Sequence, residues 1–177
     1  MNATLSNQLL QAAKHIQRAD NVVVLSGAGI STASGLPTYR KQDGLWNEAE
    51  NRRYSHVSSY AENPNQFLNY WKHTSRLMRE ARPNDAHYAL AQLQRVKPGT
   101  LLITQNVDGL LQKAGCTNVL ELHGSMRRQI CVECGLTSEY PMDRCVRCGS
   151  EMRPDVVLFG EMLDDQLLEK AQLAATR

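Results

Sequence analysis

Two matching stretches, CVECG and CVRCG, set Cys131, Cys134, Cys145 and Cys148 as C-x2-C-x10-C-x2-C. Four thiolates so spaced can close a tetrahedral Zn2+ site with no open position, which makes the site structural. The spacer is shorter than the roughly 15–20 residues commonest for this arrangement. Gly135 and Gly149 each permit the turn that points amides at the sulfurs. The fifth cysteine, Cys116, follows Gly115 and reads as a small loop residue.

A second stretch able to do chemistry is VVVLSGAGISTASGLPTYR, residues 22–40. Gly27-Ala28-Gly29 lets backbone approach a ligand closely, and amides opening the next helix would face an anion such as a pyrophosphate. A tight turn with no ligand has the same local appearance. The stretch departs from the dehydrogenase fingerprint, because Thr32 stands where its third glycine would fall. It lacks the Gly-Lys-Ser/Thr of a phosphate-binding P-loop. Further along, Gln105, Asn106 and Asp108 offer three hydrogen-bonding side chains within four residues, although Asn106 or Asp108 could also serve to cap a helix. His123, before Gly124, a glycine that would clear space for a ligand, is the histidine whose setting suits a general base. His15, His56, His73 and His87 read as helix or loop residues.

These groups need elements to hold them. Apolar residues at helical spacing predict a helix over 4–19. Val22–Leu25 predicts a strand buried on both faces, as in a parallel sheet. Residues 41–82 read as a small helical and loop insert, with a helix from Asn63-Pro64 to about Arg79. Asn84-Asp85 caps a helix ended by Pro98-Gly99. Leu101–Ile103, Val119–Leu122 and Val156–Phe159 predict three more strands. Residues 127–153 form the cysteine module, and a last helix starts near Leu163. Alternating strands and helices predict a Rossmann-like α/β fold: a parallel sheet with helices on both faces, one small helical insert and a zinc-ribbon module. Ligands bind beyond the carboxyl ends of such strands, and the polar sequences SGAGIS, TQNVDG, HGS and FGE all lie at those ends.

The 177 residues suit one domain, 42% apolar and 21% charged, with net charge +2. No run approaches the ~20 apolar residues of a membrane span. The N-terminus lacks a signal-peptide layout, so a reducing, cytoplasmic setting is expected. No basic stripe supports direct nucleic-acid binding.

Taken in order, GAGISTASGLPTYR, TQNVDGL, LHGS, the four-cysteine module and PDVVLFGE resemble the sirtuins, NAD-dependent protein deacylases. The resemblance covers most of 1–177 and implies NAD and Zn2+ as cofactors. Gly27, Ala28, Gly29, Ile30 and Ser31 would line the pyrophosphate and nicotinamide pocket. Tyr39 would cover the reacting ribose carbon, and Arg40 would brace that loop. Gln105 and Asn106 would contact the nicotinamide ribose, with Asn106 counted among the catalytic residues. Asp108 and the Ile30 backbone would hold the carboxamide, and His123 would be the general base. Val157, Phe159, Gly160 and Glu161 would form one wall of the acyl-lysine channel and pair with the substrate as an added strand. An acyl-lysine protein or peptide is the implied partner. The implied products, reached through an ADP-ribosyl imidate, are nicotinamide, deacylated lysine and O-acyl-ADP-ribose.

The sequence departs from the family in three places. Thr38 precedes Tyr39 where the family often has Asp. Trp71 and Thr74 occupy the positions of the Tyr-x-x-Arg found in members that prefer acidic acyl groups, which favours an uncharged acyl group. The C-terminal strands of the family are expected to be absent, leaving an open sheet edge through which copies could associate. An inactive zinc-stabilised fragment and a protein ADP-ribosyltransferase are the competing readings.

Overall fold

The computed structural model describes residues 3–38, 49–139 and 144–176. Helix α1 (Ala3–Arg18) leads into strand β1 (Val23–Ser26) and a 3-10 helix over Ala28–Ser34. Three helices follow: α2 (Ala49–Tyr54), α3 (Ser58–Glu62) and α4 (Pro64–Glu80). Then come α5 (Asp85–Val96), β2 (Leu101–Thr104), α6 (Leu110–Lys113) and β3 (Val119–Glu121). Strands β4 (Gly124–Cys131), β5 (Thr137–Glu139) and β6 (Met152–Val156) precede the last helix, α7 (Asp165–Ala175).

Strands β1, β2 and β3 form a parallel sheet in that order, with Val24 beside Leu102 and Leu102 beside Val119. Side chains alternate across a sheet, so these three share a face. Helices α5 and α6 cover that face with Ala91, Leu111 and Ala114. This is the Rossmann-like arrangement that the alternating elements predict. One detail differs. β1 was expected to be buried on both faces, yet Leu25 is 65% exposed. Among the described residues β1 has a strand on one side only, so its outer half is less sheltered than β2, where Leu102 and Ile103 are buried.

The expected fourth parallel strand at Val156–Phe159 is not formed. Met152–Val156 pairs antiparallel with β4 in a second sheet, ordered β5-β4-β6. Residues 157–164 are loop, apart from a single parallel bridge between Phe159 and His56. Along β6, Met152, Pro154 and Val156 are buried while Arg153 and Asp155 are partly exposed. That alternation marks a half-buried antiparallel strand, and Pro154 is tolerated because β6 lies at an edge. The second sheet thus extends beyond 127–153, from Gly124 to Val156.

Its register with β6 shifts between Ser125 and Gln129. At the shift, the Met126 amide donates to the Val107 carbonyl at 2.8 Å, tying this sheet to the loop after β2. Met126 packs in a core of Tyr54, Phe67, Trp71, Val156 and Leu158, where the helices α2 and α4 meet β4 and β6. The Asn63 side chain caps α4 by accepting from the Gln66 amide at 3.1 Å, with Pro64 at its first turn. Asp164 caps α7, which therefore starts two residues later than expected.

Candidate active site

A cavity of about 790 Å3 opens where the ends of β2 and β3 meet the loop after β6. Ala28, Gly29, Ser31, Gln105, Asn106, Asp108, His123, Val157, Phe159, Gly160 and Glu161 all line it. Gly27 and Ile30 line a second, shallower hollow of about 550 Å3, and Ala28 and Gly29 face both. The glycine turn is therefore the ridge between two cavities. A Cβ added at Gly27 or Gly29 would meet nothing within 4 Å, so the space above the ridge is open. Tyr39 and Arg40 lie outside the described residues.

A hydrogen-bonded chain joins the glycine turn to the end of β2. Ser31, fully buried, donates its hydroxyl to Asp108 Oδ2 at 2.7 Å. Asp108 Oδ1 accepts from the Leu110 amide at 2.9 Å. Asp108 is thus both a cap for α6 and a partner of the turn, and the two readings of this residue hold together. The Asn106 amide nitrogen donates to the Gly27 carbonyl at 3.1 Å and to Ser31 Oγ at 3.2 Å. Both amide hydrogens are used on the turn, which leaves Asn106 Oδ1 for the cavity.

His123 is partly exposed at the tip between β3 and β4. Its Nδ1 lies 2.9 Å from the Gln105 carbonyl oxygen. A carbonyl can only accept, so Nδ1 carries the proton and the neutral ring keeps its lone pair at Nε2. This is the arrangement of an oriented general base. The next residue has a different role from the expected clearing of space. Gly124 has φ +76°, and a Cβ there would collide with the Asp155 carbonyl. Glycine is needed so that β4 can start against β6.

Asn84 does more than the sequence reveals. Its Oδ1 caps α5 by accepting from the Ala86 amide at 2.9 Å, as expected. Its Nδ2 reaches across to the Ile30 carbonyl at 2.8 Å and Ser34 Oγ at 2.9 Å. Asn84→Ala is expected to cost about 1–2 kcal/mol in urea unfolding.

His87, fully buried beside this residue, accepts from the Asn84 amide at 3.2 Å through Nδ1. Its proton is therefore on Nε2, which has no partner among the described residues. Burial pushes its pKa below the ordinary 6.5, with the charge of Asp108 opposing. The unfolded chain then takes up a proton that the folded chain resists. Stability is expected to fall as pH drops below about 6.5, so the urea midpoint should be lower at pH 5 than at pH 7.5.

A profile of the Sir2 family matches residues 27–176. The chain belongs to the Sir2 family. It is 41% identical over 178 residues to an NAD-dependent protein deacylase of Thermus thermophilus, covering 94% of this chain and 69% of that protein. It superposes on a Sir2 homologue variant in complex with ADP-ribose with TM-score 0.87 and 36% identity, covering all of this chain and 71% of that one. A Sir2 variant with a deacetylated p53 peptide and 3'-O-acetyl ADP-ribose gives TM-score 0.82 at 30% identity, covering 96% and 72%.

The four cysteines of this Sir2-family chain converge as their spacing predicts. Their sulfurs all lie within 4.8 Å of one another, with Cys131–Cys148 at 3.4 Å and Cys134–Cys145 at 3.5 Å. A tetrahedron with Zn–S bonds near 2.3 Å has S···S edges of about 3.8 Å, so the donor set fits structural Zn2+. Gly135 and Gly149 sit at φ +68° and +76°, closing the two knuckles. Hydrogen bonds from Ser150 lower the Cys148 thiol to about 6. At Cys134 the Leu136 amide pulls downward, but burial and the neighbouring thiols push the pKa up to about 11.

Trp71, placed from the sequence by resemblance alone, and Leu158, between the expected wall residues, also line the cavity. Sequence reading missed Met78 and Val156, which line it too. Met78 belongs to a helix remote in sequence, and nothing local marks it as lining a site.

Proposed function

We propose that this Sir2-family chain is an NAD-dependent protein lysine deacylase that releases nicotinamide, deacylated lysine and O-acyl-ADP-ribose. The observation that carries the reading is one cavity in which an oriented His123 faces the Asn106–Ser31–Asp108 chain. NAD+ supplies the electrophilic ribose carbon and a leaving group. Gly27–Ser31 would cradle its pyrophosphate on the ridge, with the two halves of the dinucleotide in the two cavities. Asp108 would hold the carboxamide, and Gln105 and Asn106 the ribose. His123 Nε2 would take a proton from a ribose hydroxyl. The rim Val157–Glu161 would hold the acyl-lysine segment. Phe159 is already bridged through both backbone groups to Ser55 and Val57 and the Val157 amide is bonded to His123, which leaves the Val157 carbonyl and Gly160 for substrate pairing.

The acyl group would be uncharged. The described lining includes the carboxylates Asp108 and Glu161 and no Lys or Arg, while Trp71, Met78 and Leu158 give it an apolar floor. A dicarboxylic acyl group would find no cationic side chain to pair with in the described lining. We assign 41–82 as the part supplying the floor and 127–153 as the metal-binding part. No helix among the described residues is long and apolar enough to cross a membrane. The thiol cluster suits a cytoplasmic setting, and the outer edge of β1 is where copies would associate.

Incubating the 177-residue chain with NAD+ and an acetyl-lysine peptide should yield both nicotinamide and O-acetyl-ADP-ribose by mass spectrometry. Neither product from folded, zinc-loaded chain would refute the proposal. A succinyl-lysine peptide should react at least about tenfold more slowly.

A further inference from the structure

Arg153 and Glu161 flank the rim segment along the chain, and Glu161 lines the cavity. Arg153 is on β6, opposite Ile130 and next to Met152, which packs against Cys131 and Cys145. Its guanidinium forks: Nη2 donates to Glu161 Oε1 at 2.6 Å and Nη1 to the Val156 carbonyl at 3.1 Å. The other oxygen of Glu161 accepts from the Leu158 amide at 2.8 Å. Both carboxylate oxygens are thus engaged within the loop. The two side chains are only 19% and 23% exposed, so the pair is sheltered from the screening that makes surface ion pairs weak. Charge-assisted bonds of this length are the stronger kind.

The loop between them reaches the site. The Val157 amide donates to the His123 carbonyl at 2.9 Å, and Phe159 bridges to Ser55 and Val57. Leu158 is buried in the core beside Trp71. At Gly160, φ +91° turns the chain back toward Glu161. Residues 157–160 form no continuous strand ladder, so these separate backbone bonds and the ion pair are what tie the segment down.

We infer that Arg153 and Glu161 form a clasp that holds the substrate rim in shape, and that Glu161 is a positioning residue rather than a substrate contact. The inference builds on the deacylase reading and adds how the peptide side of that site is held. The contacts of Ser31, Asn106 and Asp108 do not pass through the clasp, so the NAD+ side should be insensitive to it.

Hydrogen exchange read by mass spectrometry on the full chain, without substrate, tests this. In Glu161→Ala, peptides covering 157–161 should exchange about tenfold faster, with β1–β3 unchanged. The KM for acyl-peptide should rise about tenfold while that for NAD+ stays within about twofold. A raised peptide KM with unchanged exchange would make Glu161 a substrate contact and overturn the clasp. So would unchanged exchange with unchanged kinetics. If Glu161→Ala loses protection everywhere, Arg153→Lys decides. It keeps the charge but not the fork, and should loosen 157–161 about threefold, while unchanged protection refutes the clasp. Exchange needs no turnover, so an inactive wild type would remove the deacylase reading and leave this test standing.

Discussion

His123→Ala is expected to lower kcat for deacylation by about a thousandfold, in a chain that stays folded and still binds NAD+. The structure gives three reasons for so large and so clean an effect. The Gln105 carbonyl fixes the proton on Nδ1, so Nε2 is the basic atom in the neutral ring. The ring is partly exposed and outside the three core clusters, so its removal leaves no cavity. The backbone contact to Val157 uses the carbonyl of residue 123, which alanine retains. Nicotinamide and O-acyl-ADP-ribose quantified against wild type give the measurement, with NAD+ affinity and thermal unfolding as controls. Residual activity above about a tenth of wild type would remove His123 from the role of general base.

Cys145→Ser is expected to lose the metal and most of the activity together. Structural zinc contributes about 10–16 kcal/mol of apparent binding free energy in small zinc-binding peptides, and replacing one of four thiolates forfeits several kcal/mol of it. Cys131, Cys145 and Met152 make up the buried core of that module, so little else holds it. The damage should travel along β6, because Met152 beside Cys131 and Val156 beside Gly124 are ends of one strand. The far end leads into the loop that lines the cavity and is proposed to hold the substrate. Wild-type protein should bind one Zn2+ per chain and release protons as metal is added. The variant should bind little metal and unfold at a temperature lower by about 10 °C or more. A variant of full stability and activity would show that the four cysteines do not hold a structural metal. Chelator treatment of wild type should reproduce the loss without any change in sequence.

The sequence by itself determined what depends on neighbours along the chain. The glycine turn after an apolar strand, the doubled cysteine knuckle, Asn63 and Asn84 as helix caps, and His123 at a strand end were all readable. Each follows from backbone conformation or ligand chemistry that a few consecutive residues settle. The tertiary structure alone decided pairings between residues far apart in sequence. Val156–Phe159 has the composition of a buried parallel strand, but β4 captures Met152–Val156 from the antiparallel side and the rest becomes rim. An apolar run cannot say which strand will accept its hydrogen bonds. Gly124 looked like space for a ligand and is instead a close approach to Asp155. Asn84 reaches Ile30, and Met78 reaches the cavity, across separations that no local pattern encodes. Arg153 and Glu161 carry ordinary charges in the sequence. Only the fold brings them to 2.6 Å and shelters them, and shelter is what turns an ordinary ion pair into a fixed one.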